Sequence, residues 1–136
     1  MNKIEALLDK IISNNVCINE IKTLDIKTVS IKTDDKKDIF IDKTKFINSK
    51  DLYVQLAHEF LHCEYDIFYN IDSSLQTRKR REYKIDKIMI QELVPIEKLK
   101  SLSKYELNQY ELSEEFDVPE ETIELAFKIY KNMGVL

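Results

Sequence analysis

The two histidines of the chain, His58 and His62, lie four residues apart, and Glu59 directly follows the first. On a helix, residues i and i+4 lie on the same face, so two imidazoles can bind one metal ion from adjacent turns. Glu59 then lies about 100° around the helix axis, close to the metal without having to bind it. This combination predicts a metal centre that activates water.

The spacing is the His-Glu-x-x-His pattern of zinc peptidases, in which the glutamate is the general base for a zinc-activated water. It predicts one Zn²⁺ per chain, held by His58 and His62, with Glu59 as the catalytic residue. The alternative interpretation is a pair of surface histidines on an amphipathic helix, without a metal.

A catalytic zinc site takes three protein ligands, but the chain has no third histidine. A carboxylate or a thiolate must therefore complete the set. Glu82 is the preferred candidate, because the 20 positions that separate it from His62 allow a return pass on a second helix. Asp86, one turn later, could accept a hydrogen bond from the other ring N–H of a zinc histidine. Glu92 is the reserve ligand, and a solvated charge run that begins at Arg78 is the alternative interpretation of Glu82.

Hydrophobic periodicity predicts small elements before the histidines. Apolar residues at helical spacing indicate a short helix over residues 2–13, whereas residues 16–27 fit either a strand or a turn of helix. Two β-branched runs around a charged loop predict a β-hairpin within residues 28–46. Its edge strand could pair with an extended substrate peptide, and a purely structural hairpin is equally compatible with the sequence.

Two long helices are predicted to carry the site. The first runs from about residue 49 to 68 and contains both histidines. The second runs from about residue 74 to 94, contains Glu82, and ends before Pro95, because a proline disfavours helix in the residue that precedes it.

The C-terminal residues 96–136 are predicted to be helical, and residues 112–128 have the outline of a helix-turn-helix. The helix that would read DNA carries three glutamates that would repel phosphate: Glu120, Glu121 and Glu124. We interpret this region as packing structure that could offer a surface to a partner. The net charge of −4 also argues against a broad nucleic-acid-binding face.

Length and composition fit one soluble domain. A chain of 136 residues can bury a core, and 43% apolar with 34% charged residues is typical of globular proteins. Cys17 and Cys63 form no CxxC pair and are expected to be free thiols in a reducing cytosol. The sequence shows no signal peptide and no apolar run of membrane-spanning length, so we expect a cytoplasmic protein.

Three stretches resemble the motifs of the ImmA/IrrE family of small metallopeptidases, LAHEFLHC at residues 56–63, REYKIDK at 81–87 and ELVP at 92–95. They are similar to the family's LAHE-x-x-H motif, its Glu-x-x-x-Asp/Asn element on the next helix, and the Leu-x-Pro motif that follows. Residues 111–119 look like its C-terminal helical region. Leu61 and Ile85 stand where the family usually has glycine and alanine, and neither is a ligand.

The resemblance implies a zincin-like α+β fold, mainly helical, with a small antiparallel sheet or hairpin packed beside the histidine helix. It implies a single metallopeptidase domain over residues 1–136. Within it, residues 1–102 would form the zincin-like core and residues 103–136 a C-terminal helical extension.

The resemblance also implies a site and a function. Zinc would lie on His58, His62 and Glu82, with Glu59 as general base and Asp86 as a supporting group. The implied enzyme is a zinc endopeptidase that cleaves a helix-turn-helix repressor of a phage or integrative element. A zinc-containing antirepressor that binds the repressor without cutting it, and a metal-free interaction module, are the alternatives. The donor that would stabilise the oxyanion stays open: it could be the backbone or one of three tyrosines, Tyr65, Tyr69 and Tyr83.

Overall fold

The computed structural model describes residues 2–22, 25–68 and 73–136. These residues form a three-stranded sheet and six α-helices, in the order α1 Lys3–Ser13, β1 Val16–Glu20, β2 Thr28–Thr33, β3 Lys36–Ile41, α2 Ser49–Glu64, α3 Leu75–Leu93, α4 Ile96–Leu102, α5 Gln109–Phe116 and α6 Glu120–Asn132. The fold class is therefore α+β and mainly helical, as predicted. No helix in the described part of the chain combines the length and the apolar character needed to cross a bilayer.

The sheet has the strand order β1–β3–β2. Strands β2 and β3 pair antiparallel from Thr33↔Lys36 to Thr28↔Ile41, which confirms the predicted hairpin. Strand β1 pairs parallel with β3. The expectation of an antiparallel sheet is therefore wrong for one of the two strand pairs. The sheet is mixed because β1 and β2 lie on opposite sides of β3 and run in opposite directions.

Strand β2 has one open edge in the described part of the chain. Beside its first residue, the amide of Asp42 donates to the carbonyl of Lys27 (3.0 Å). Alternate residues of an antiparallel strand turn their backbone groups to the same side. Thr28, Ser30 and Lys32 therefore turn their N–H and C=O groups away from β3 and toward the open edge.

Residues Met1–Ile85 form one compact unit, whose apolar core lies between α1, α2 and the sheet. Helix α2 contributes a buried stripe of Leu56, Phe60 and Cys63, each at most 3% exposed. The other elements contribute Ile11, Val16, Ile39 and Ile41. Because this stripe must face the core, it fixes the rotation of α2 about its axis and thereby the direction of the face that carries the histidines.

Residues Asp86–Leu136 form a second compact unit, made of the C-terminal part of α3 and the helices α4 to α6. The hydroxyl of Tyr130 donates to the carbonyl of Val94 (2.6 Å), one residue before Pro95. Helix α5 begins with a capping box formed by Asn108 and Glu111. The division into residues 1–102 and 103–136 stays a prediction.

Candidate metal centre

Helix α2 presents His58 and His62 one turn apart on the same face. The helix starts at a cap in which the side chain of Asn48 accepts a hydrogen bond from the backbone N–H of Asp51 (3.0 Å). The two imidazoles meet edge to face, with 4.9 Å between their ring centroids. The buried stripe on the neighbouring face of α2 holds this orientation.

Helix α3 brings Glu82 to both histidines. One carboxylate oxygen, Oε2, lies 2.8 Å from Nε2 of His58, and the other, Oε1, lies 3.0 Å from Nε2 of His62. The two Nε2 atoms are 3.2 Å apart. The structure therefore brings together the three residues that the sequence suggests as ligands, from two helices.

The donor set fits a zinc ion. Ligand atoms at about 2.0–2.1 Å from zinc in a tetrahedron are about 3.3 Å from one another. The three separations, 2.8 to 3.2 Å, fall slightly short of that value, because hydrogen bonds within the group hold the atoms together. An outward shift of a few tenths of an ångström would open the space. Two imidazoles and one carboxylate are also a known catalytic zinc set.

A backbone carbonyl orients the more deeply buried imidazole. Nδ1 of His62 lies 2.6 Å from the carbonyl oxygen of Ile67, so the ring donates its Nδ1–H there and directs Nε2 at Glu82. When the ring is protonated, Nε2–H donates to the carboxylate, and when it is neutral, the lone pair of Nε2 is the atom that binds a metal. Helix α2 ends at Glu64, four residues earlier than predicted, and Asp66 adopts a left-handed φ of 55°. This turn places the carbonyl of Ile67 beside the ring.

The charges of the site depend on one another. Burial by itself would raise the pKa of Glu82, but hydrogen bonds from His58 and His62 outweigh it and lower that pKa to about 2. Burial by itself would lower the pKa of His62, but hydrogen bonds to Glu82 and to the Ile67 carbonyl leave it above 6.5. At neutral pH Glu82 is therefore a carboxylate, the form that binds a metal.

Glu59 lies beside the three ligands on the wall of the same cleft and is 7% exposed. Its position one residue after His58 fits a group that handles protons next to a metal. Cys63 is in the core, where burial and the nearby Glu59 raise the pKa of its thiol to about 11. A thiol that stays protonated and faces the core is not a metal ligand.

The ligands open into a cleft of about 1330 Å³. One side is formed by the open edge of β2 and the residues before it, and the other sides by the histidine face of α2 and the first half of α3. All lining residues belong to the unit Met1–Ile85. The volume is large enough for several residues of an extended peptide.

The other residues singled out in the sequence have different positions. Asp86 is half-buried one turn after Glu82, and its supporting role stays a prediction. Glu92 is exposed. Among the described residues, neither of the exposed tyrosines Tyr65 and Tyr83 lines the cleft, and Tyr69 lies outside the described residues. Leu61 and Ile85, which depart from the family pattern, are both buried in packing positions.

Comparisons with known proteins do not add to this geometry. No protein-family model matches the chain, and neither the curated proteins nor the solved structures give a match.

Proposed function

We propose that the protein is a zinc-dependent endopeptidase. The observation that carries the proposal is the convergence of His58, His62 and Glu82, whose ligand atoms all lie within 4.8 Å of one another. Glu59 lies beside them in a cleft that is open to a peptide. A structural zinc site is closed by four protein ligands, whereas three ligands in an open cleft leave room for water and substrate.

In the proposed mechanism, Glu59 is the proton carrier. A zinc ion on the three ligands would lower the pKa of a water molecule and polarise the peptide carbonyl. Glu59 takes a proton from the water as its oxygen attacks the carbonyl carbon, and then gives that proton to the leaving amine. The Ile67 carbonyl holds the His62 ring, and Glu82 contacts both imidazoles. These contacts keep the three ligand atoms directed at one point. The C–N bond breaks, and a carboxylic acid and an amine leave the cleft.

The open edge of β2 is proposed to hold the substrate. Thr28, Ser30 and Lys32 turn their backbone groups to this edge and line the same cleft as the histidines. An extended peptide that pairs with these groups by backbone hydrogen bonds would lie along β2, with one of its carbonyls at the metal centre. Such pairing is independent of sequence, so selectivity must come from side chains around the cleft.

The proposed substrate is a helix-turn-helix repressor of a phage or integrative element, and the protein is proposed to act in the cytoplasm. This part is supported by the resemblance of the motifs around His58, Glu82 and Pro95 to those of the ImmA/IrrE family. The zincin-like character of the fold is part of the same proposal. Helices and a small mixed sheet beside the histidine helix are compatible with it.

A non-cleaving function is the second candidate, because the three ligand residues satisfy one another without a metal. Both histidines are hydrogen-bonded to Glu82, so the site can be stable as a polar cluster. In that case the cleft and the β2 edge would hold a repressor without cutting it. The protein would then act as an antirepressor by occupation.

Cleavage of the repressor encoded next to the protein's own gene separates these functions. The zinc-loaded parent is expected to cut the repressor at a defined bond, visible as two fragments by mass spectrometry. The Glu59→Gln variant should keep its zinc and cut about 100 to 10,000 times more slowly. Glu64→Gln, an exposed glutamate of the same helix, is the matched control and should behave as the parent.

Two results would contradict the proposal. If Glu59→Gln cuts as fast as the parent, Glu59 is not the base. If the zinc-loaded parent binds the repressor and leaves its mass unchanged, the antirepressor function is correct instead.

A further inference from the structure

Two lysines of the β2–β3 hairpin bind the turn that follows helix α2. Nζ of Lys32, on β2, lies 2.9 and 3.1 Å from the two carboxylate oxygens of Asp66. Nζ of Lys37, on β3, lies 3.6 Å from the same carboxylate and donates to the carbonyl of Cys63 (2.8 Å), in the last turn of α2. The hairpin therefore holds the C-terminal end of the helix that carries both histidines.

The two lysines are unfavourable for the hairpin by itself. Lys32 and Lys37 are cross-strand partners, and like charges directly opposite each other destabilise an antiparallel pair. The carboxylate of Asp66 binds both ammonium groups, and the hydrogen bond from Lys32 is the main reason why the pKa of Asp66 lies below its usual value. The contact with the end of α2 thus explains a pair of lysines that the hairpin alone does not.

The turn that the lysines bind also contains the group that orients His62. Asp66 has a left-handed φ of 55°. After it, the amide of Ile67 donates to the carbonyl of His62 (3.0 Å), and the carbonyl of Ile67 accepts from Nδ1 of the same histidine (2.6 Å). On the other side of Ile67, the carbonyl of Phe68 accepts from Arg81. Because Asp66 and Ile67 are adjacent in the chain, a shift of the Asp66 backbone would move the carbonyl that holds the ring.

We propose that Lys32 and Lys37 are positioning residues for the zinc ligand His62, and that they act through Asp66 and the carbonyl of Ile67. This role rests on the proposed function, because it concerns a ligand of the proposed zinc site. A fixed acceptor at Nδ1 keeps Nε2 directed at the metal, and such orienting groups contribute about 10- to 100-fold to metal affinity. The lysines act one step further away, through pairs that are partly exposed to solvent, so we expect a smaller contribution of roughly three- to tenfold.

The hydrogen on Nδ1 of His62 reports the contact directly. The pKa of His62 lies above 6.5, so in the metal-free protein at about pH 5 both ring nitrogens carry a hydrogen. The Nδ1 hydrogen is bound to a backbone carbonyl and should exchange slowly enough with water to give its own NMR signal. In Lys32→Met and in Lys37→Met, this hydrogen should exchange roughly three- to tenfold faster. Lys36→Met is the matched control, since this exposed lysine of the same hairpin pairs with Asp38 (3.9 Å).

Zinc affinity measures the functional effect. Lys32→Met and Lys37→Met should each bind zinc roughly three- to tenfold more weakly than the parent. Lys32→Arg keeps a cation that can bind both carboxylate oxygens, so it should bind zinc as the parent does, and so should Lys36→Met. Asp66→Asn keeps a residue that tolerates the left-handed backbone but loses the charge, and should resemble Lys32→Met. A merely structural role would lower Tm without changing zinc affinity.

Each outcome decides the inference separately from the proposed function. Equal exchange in Lys32→Met, Lys37→Met and Lys36→Met would overturn it, and so would the absence of a protected Nδ1 signal in the parent. Faster exchange with parental zinc affinity would overturn the positioning role. If the parent takes up no zinc, the proposed function fails, and exchange in the metal-free protein still decides whether the lysines hold the His62 ring.

Discussion

The two imidazoles of the candidate metal centre are held in different ways. His62 is 4% exposed, and its second ring nitrogen is fixed by the carbonyl of Ile67. His58 is more accessible, with 15% of its side chain exposed. Glu82 touches both rings and is the most exposed of the three. We therefore expect His62 to be the fixed part of the proposed zinc site and Glu82 to be the ligand that would shift outward on metal binding.

We predict that removing zinc reverses the pH dependence of the site's contribution to stability. In the metal-free protein the pKa of His62 is raised above 6.5, so its contribution is complete below pH 6.5 and is lost as the pH rises through the raised pKa. The pKa of Glu82 is lowered from 4.5 to about 2, so its contribution is present above pH 4.5 and is lost in acid. With zinc bound, protons compete with the metal, and stability rises with pH.

The comparison of parent and Glu82→Gln by thermal unfolding measures this effect. Between about pH 6 and about pH 8, the difference in Tm should shrink without metal and grow with zinc. A difference that changes in the same direction with and without zinc would refute the assignment.

Local spacing was enough to predict the histidine pair, because residues i and i+4 share a helix face wherever the helix lies. Glu82 required a longer inference, from the missing third ligand to a return helix. The carbonyl of Ile67 could not be predicted, because every residue has a carbonyl and its direction depends on where α2 ends. That end depends on the left-handed backbone of Asp66, for which the sequence has no strong signal.

At the scale of elements, helix α2 has two functions on adjacent faces. Its stripe of Leu56, Phe60 and Cys63 belongs to the core, and the next face carries the histidines. Strand β2 is similar, since one edge pairs with β3 and the other is open. In both elements the packed side determines how the site-facing side is directed.

We predict that Ser30→Pro blocks cleavage without unfolding the sheet. The N–H of Ser30 faces the open edge, so a proline removes a bond to substrate and none to β3. Zinc binding should be unchanged, and the rate of peptide cleavage should fall by roughly tenfold or more. Ser30→Ala keeps the N–H and is the control that should cleave normally.

A proline at the next residue, whose N–H faces the other side of the strand, provides a further check. Ile31 turns its N–H toward β3, so Ile31→Pro should lower Tm and disrupt the hairpin. If Ser30→Pro cleaves peptides at the parental rate, the substrate does not pair with β2.

The hairpin was predictable because it is local, with alternating β-branched residues on either side of a charged turn. Strand β1 was ambiguous in the sequence because its partner β3 lies some twenty residues further along the chain. Strand β1 runs parallel to β3 and lies across β3 from β2, and no local pattern shows either feature.

At the scale of the whole molecule, charge is unevenly distributed. Residues 103–136 contain eight acidic and three basic side chains, although the net charge of the full chain is only −4. The first helix of the helix-turn-helix outline is α5, and the second, α6, starts with Glu120 and Glu121. Such a surface repels phosphate, so we do not expect this unit to read DNA.

We predict that the second unit depends on a buried hydroxyl. Tyr130 is 1% exposed and donates to the carbonyl of Val94, so Tyr130→Phe leaves that carbonyl without its donor. The free energy of unfolding in urea should fall by about 1–3 kcal/mol. Tyr110→Phe, at a tyrosine that is 60% exposed, should change it by less than about 0.5 kcal/mol. Equal effects of the two substitutions would show that the Tyr130 hydrogen bond does not stabilise the unit.

The central claim is that His58, His62 and Glu82 together hold one catalytic zinc ion. Native mass spectrometry of metal-stripped protein titrated with zinc tests it most directly. The parent, Glu59→Gln and the exposed control Glu92→Ala should each take up one zinc per chain. Glu82→Ala should bind zinc more than about a hundredfold more weakly, beyond the loss caused by removal of a mere supporting group. Parental affinity in Glu82→Ala, or well under one zinc per chain in the parent, would contradict the account.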